Sequence, residues 1–191
     1  MENTVDKIKI NNILKIKKHR YFNDTMENYN KLNSLLYKNL VKLMLSAMFN
    51  KSLETLLIID SDTMRSRIFT SHLNDNVDIP DYIIEKLNNT NDKTSFIMMH
   101  NHPNNTNFSI EDLNTFVSRP KISYLLVCTN DCKHIAIIGE SSIINDIIRK
   151  KMLYVIEEYC KKNGLDEHSP ADKLIQFFMT KGLLYAVYKN Y

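Results

Sequence analysis

Phe96-Ile97-Met98-Met99 leads without a break into His100-Asn101-His102, and Pro103 ends the run. Four consecutive apolar residues after the polar stretch Asn91-Asp92-Lys93-Thr94 read as a buried strand. Side chains alternate between the faces of a strand, so His100 and His102 share one face at its exit. Proline has no amide to give to a ladder, so the strand must stop at Pro103 and turn. The chain therefore places two imidazoles side by side at the mouth of a core strand, and the rest of the fold must accommodate them.

One histidine at a strand end ordinarily just meets solvent. Two on one face can converge on a single metal ion. The loop Asn104-Asn105-Thr106-Asn107 then brings up Ser109 and Asp112. His100, His102 and Asp112 would leave the fourth tetrahedral position of Zn2+ open for water, the pattern of a catalytic site. Ser109-x-x-Asp112 ahead of Leu113 and Phe116 also has the form of a helix capping box. Ser109 can serve both readings, whereas Asp112 is contested between them.

Zinc hydrolysis also needs a carboxylate to move protons. Glu111 neighbours Asp112, and helical geometry turns it about 100° away. Glu54 is the better candidate, because it opens the apolar run Thr55-Leu56-Leu57-Ile58-Ile59; the alternative is a charge exposed at a strand start. Glu85 reads as a solvated helix face. His19, His72, His134 and His168 have no partner at metal spacing.

At 191 residues the chain can bury a core of its own, and its 43% hydrophobic and 25% charged content is that of a soluble globular protein. Three glycines and four prolines leave no room for long flexible linkers. A formal charge of +3 does not by itself call for nucleic acid. No apolar tract approaches membrane-spanning length, and the first residues do not read as a signal peptide. Cys128, Cys132 and Cys160 form no paired motif and suit a reducing cytoplasm.

Three regions are expected. Residues 1–28 form a basic arm carrying Lys7, Lys9, Lys15, Lys17, Lys18 and Arg20, a place where nucleic acid could bind. Residues 29–140 hold the metal-dependent domain: a helix over residues 28–50, a strand over residues 54–59, a turn at Asp60-Ser61-Asp62, a returning strand over residues 67–70 and a short helix over residues 80–87. The histidine strand, a helix over residues 109–118 and antiparallel strands over residues 122–128 and 134–138 follow. Residues 141–191 read as two further helices. One runs over residues 142–162 to a cap at Asn163-Gly164; the other starts at Ser169-Pro170, with Ile175, Phe178, Met179, Leu183, Leu184 and Val187 as its apolar stripe. Strands alternating with helices predict an α/β (α+β) fold, a mixed sheet with helices against it.

Glu54, His100-x-His102-Pro103 and Ser109-x-x-Asp112 resemble the JAMM motif of MPN-plus zinc metallopeptidases, and His-Asn-His-Pro is most similar to the bacterial RadC-like branch of the JAB superfamily. The order of residues is reproduced, and the 46-residue step from Glu54 to His100 suits the family. The stretch between His102 and Ser109 is one residue shorter than usual there. The resemblance spans about residues 30–140. It implies a curved mixed β-sheet flanked by helices, like that of cytidine deaminases, with Zn2+ on His100, His102 and Asp112. Glu54 would be general base and then acid toward the leaving amine, and Ser109 would hold the oxyanion. Its implied substrate is a protein or peptide, including isopeptide-linked ubiquitin-like conjugates. The RadC-like branch implies a second reading: a DNA-repair-associated or nucleic-acid-binding module that holds zinc without cleaving peptides.

Overall fold

The computed structural model of the chain describes residues 38–39, 43, 53–63, 65–70, 77, 79–89, 95–104, 106–129 and 134–190. The basic arm over residues 1–28, His19, His72 and Cys132 lie outside these residues. So does nearly all of the helix expected over residues 28–50, of which Lys38, Asn39 and Leu43 are described and helical.

In chain order the elements are β1 (Thr55–Asp60), β2 (Ser66–Thr70), α1 (Asp81–Asn88), β3 (Phe96–His102), α2 (Ile110–Ser118), β4 (Ile122–Thr129), β5 (His134–Glu140), α3 (Asp146–Asn163), α4 (Asp172–Thr180) and β6 (Leu184–Asn190). The six strands form one sheet in the order β2-β1-β3-β4-β5-β6. β3 and β4 run parallel, and every other neighbouring pair is antiparallel. The parallel pair follows from connectivity: the chain leaves β3 at Pro103 and returns through α2, the crossover that parallel strands require. The fold is the expected mixed α/β sheet with helices against it.

Leu56 and Ile58 of β1, Met98 of β3, Leu125 and Val127 of β4, and Ala136 and Ile138 of β5 point into one core. Against them pack Leu87 of α1, Leu113 and Phe116 of α2, Met152 and Ile156 of α3, and Leu174 and Phe178 of α4. The alternate strand residues Leu57, Ile59, Ile97, Met99 and Leu126 are also buried. A sheet covered on both faces explains why these strands are continuous apolar runs rather than alternating ones.

Local chemistry accounts for most boundaries. Asp60 Oδ1 accepts from the amides of Asp62 and Thr63, closing the turn into β2. Asn145 caps α3 through its side chain, and Gly164, at φ 62°, ends that helix with its amide on the Cys160 carbonyl. No described helix is long and apolar enough to cross a membrane.

The C-terminus departs from expectation. The stripe predicted to continue through Leu183, Leu184 and Val187 instead breaks at Lys181-Gly182, with Gly182 at φ 67°. Leu184–Asn190 then pairs with β5 from Glu140↔Leu184 to His134↔Asn190. Apolar, aromatic and branched residues in succession favour a strand once a glycine has ended the helix. Gly139 of β5 makes room for this pairing, because a Cβ there would run into the ring of Tyr185. The C-terminal region expected as two helices thus adds a strand, Leu184–Asn190, to the same sheet. Nor does Ser169 cap α4: its hydroxyl donates to Asp166 Oδ1 at 2.6 Å, and the helix begins two residues beyond Pro170.

Candidate metal centre

Strand alternation puts the two imidazoles together as expected. His100 Nε2 and His102 Nε2 are 2.9 Å apart, with the His100 side chain almost fully buried. His102 Nδ1 lies 3.1 Å from both the carbonyl oxygen and the hydroxyl of Thr106. That contact fixes the ring so that Nε2 turns inward, the arrangement that orients metal-binding histidines. Two ligands on a tetrahedral zinc at about 2.0–2.1 Å stand about 3.3 Å apart, close to the spacing of these nitrogens.

Asp112 arrives from the first turn of α2. Its Oδ1 is 2.9 Å from His100 Nε2, and its Oδ2 is 3.3 Å from His102 Nε2. The same Oδ2 accepts from the backbone amide of Ser109 at 2.8 Å and from its hydroxyl at 2.9 Å, while the amide of Asp112 donates to Ser109 Oγ at 3.1 Å. The capping box and the histidine contacts coexist: Oδ1 faces His100, while Oδ2, with more than one lone pair, is shared between Ser109 and His102. The Ser109 hydroxyl proton is committed to Asp112, so in this arrangement Ser109 orients that carboxylate and is not free to donate to an oxyanion.

The remaining first-turn donors of α2 are satisfied from far along the chain. The Ile110 amide donates to the Ser169 carbonyl and the Glu111 amide to the Glu167 carbonyl, each at 2.9 Å. Helix N-termini leave such amides without intrahelical partners. Here the segment between α3 and α4 supplies them, and Ser109 forms a bridge with Pro170.

Glu54 sits immediately before β1, with Oε1 3.9 Å from His100 Nε2. Glu54, His100 and His102 each offer a ligand atom within 4.8 Å of the others and could hold a metal ion. Burial raises the Glu54 carboxyl above its ordinary value; His100 and His102 oppose that rise and Asp112 adds to it. Burial alone would lower the His100 imidazolium, but the Asp112 carboxylate outweighs it, with help from Glu54, and brings it to about 9. Burial would raise Asp112, yet the two histidines hold it well below the usual carboxylate range.

The five motif residues expected from sequence thus meet at one place: Glu54, His100, His102, Ser109 and Asp112 line a cleft of about 410 Å³. Its apolar wall includes Leu56, Val77, Ile79, Met98 and Leu125. Glu111 also lines this cleft, and so does His168, which sequence spacing had set aside. His168 carried no signal, since only the fold brings residue 168 beside residue 111. His134 lies at the start of β5, outside the cleft lining.

No protein-family model matches the chain, and no curated protein matches it as a relative.

Proposed function

We propose that the chain is a zinc-dependent hydrolase of a peptide or isopeptide bond with a JAMM-type centre, acting on a protein or peptide substrate in the cytoplasm. The observation that carries this reading is the approach of Asp112 to both histidine Nε2 atoms while Glu54 stands back at 3.9 Å from one of them. Among the two carboxylates, Asp112 suits direct ligation, and Glu54 stands at a distance better filled by a water. Zn2+ held by His100, His102 and Asp112 would supply a Lewis acid and lower the pKa of a bound water.

Glu54 Oε1 would take the proton of the attacking water and return it to the departing amine. Its upward shift by burial suits that exchange, because a general base works best near the operating pH. Ser109 and Thr106 hold Asp112 and His102 in register. The apolar wall beside the centre would exclude water and seat an uncharged part of the substrate chain.

Metal analysis with peptide and isopeptide substrates tests this reading. About one equivalent of zinc is expected. It should be lost in Asp112→Ala and in His100→Ala combined with His102→Ala. Glu54→Gln should keep the metal and lose hydrolysis. Undiminished zinc in the double histidine variant would end the assignment. Zinc retained with no hydrolysis by the unaltered chain, together with salt-sensitive binding of nucleic acid, would instead favour the RadC-like module.

A further inference from the structure

We infer that Asn101, the residue between the two histidines, is a positioning residue for Glu54. This inference rests on the hydrolase reading only for what Glu54 does, not for how it is held. Strand alternation turns Asn101 to the face opposite His100, and its side chain is fully buried. The ladder between β1 and β3 ends at Leu56↔His100. One step further, where a Thr55–Asn101 pair would continue it, the Asn101 side chain takes over. Its Oδ1 accepts from the Thr55 amide at 2.7 Å, and its Nδ2 donates to the Leu53 carbonyl at 3.2 Å.

These two bonds bracket Glu54, one on each flanking residue. A carboxamide offers a donor and an acceptor from one rigid plane, so it fixes both position and direction of the peptide segment it holds. Glu54 lies outside the regular ladder, and without this bracket nothing in the β1–β3 pairing would set its distance from His100. Asn101 therefore couples the two halves of the centre: the strand that carries the imidazoles also grips the segment that carries the base. Among side chains of similar size, Asp lacks the donor, Leu lacks both groups, and Gln would carry the amide one carbon too far.

Asn101→Ala, Glu54→Gln and the combined variant, each in the full chain, test this with two measurements. In metal-free protein, Asn101→Ala should speed exchange of the Thr55 amide by about tenfold or more, as loss of a buried hydrogen bond implies, while Met99 and Leu126 exchange as before. With Co²⁺ as the probe, Asn101→Ala should still bind one equivalent. The pH midpoint of its visible absorption should move in the direction seen for Glu54→Gln, with no further movement in the combined variant. Uniformly faster exchange across the sheet, an unmoved midpoint, or additive shifts in the combined variant would each overturn the inference. Failure of the unaltered chain to take up Co²⁺ would sink the hydrolase reading, and the Thr55 exchange would then decide the role of Asn101 alone.

Discussion

Asp112 Oδ1 lies 2.9 Å from His100 Nε2, while Asp112 Oδ2 accepts both the amide and the hydroxyl of Ser109. One carboxylate thereby joins the cap of α2 to the end of β3. Oδ1 lies clear of the cap, whereas Oδ2 is shared by Ser109 and His102, and this separates the effects of two substitutions.

Ser109→Ala removes the cap hydroxyl but leaves Asp112 Oδ1 facing His100. We expect a stability loss of about 1 kcal/mol, typical of an N-cap. Zinc should stay bound with affinity weakened by roughly 10- to 100-fold, as for residues that orient ligands. Asp112→Ala should lose the cap and the metal together. Thermal unfolding with and without a chelator, alongside metal titration, distinguishes the two.

In metal-free protein the His100 imidazolium is stabilised by folding, because its value of about 9 stands above the ordinary 6.5. A raised histidine adds stability that is complete below the unfolded value and disappears as pH rises through the folded one. The melting temperature of chelated protein should therefore decline between pH 6.5 and 9. Zinc must displace the same proton, so its affinity should climb across that interval. His100→Asn should flatten the decline. A chelated protein whose melting temperature is flat over this range would show that the Asp112 contact does not hold the proton.

Insertion of two glycines after His168 should shift the carbonyls that receive the Ile110 and Glu111 amides, without altering a ligand. Two helix-end amides without partners cost on the order of 1–3 kcal/mol each if they stay buried. We expect α2 to fray at its start and zinc affinity to drop by about tenfold or more. Unchanged zinc affinity, with normal melting, would mean that Ser109 alone seats the helix.

On the far side of α2, Arg149 is buried, donates to the Val117 carbonyl at 3.1 Å and pairs with Glu140. Burial raises Glu140 despite this guanidinium, and Glu140 Oε1 has no hydrogen-bond partner among the described residues. Arg149→Ala would strand that carboxylate, at a cost of about 3 kcal/mol or more. Arg149→Met with Glu140→Leu should recover most of the loss. Zinc content should be unaffected in both, which calorimetry and metal analysis can check.

The elements that could be read from sequence are those whose signals are local. Apolar runs bounded by turn residues mark β1, β3, β4 and β5, and Asn163-Gly164 marks the end of α3. Glu54, His100, His102, Ser109 and Asp112 were legible because residue type and spacing together suggest one chemistry. β6 was not, since Leu183, Leu184 and Val187 keep helical spacing and only pairing with β5 settles their state. The hold on α2 by Glu167 and Ser169 uses backbone carbonyls, which leave no mark in residue identity. Asn101 carries no local signal of its role, because its partners lie 46 and 48 positions away.

The seat of α2 on residues 167–170 has a consequence for biosynthesis. A nascent chain leaving the ribosome exposes Glu54 and both imidazoles well before it can furnish the carbonyls that steady the start of the Asp112 helix. Full support for the start of the Asp112 helix therefore waits until translation has passed the turn between α3 and α4.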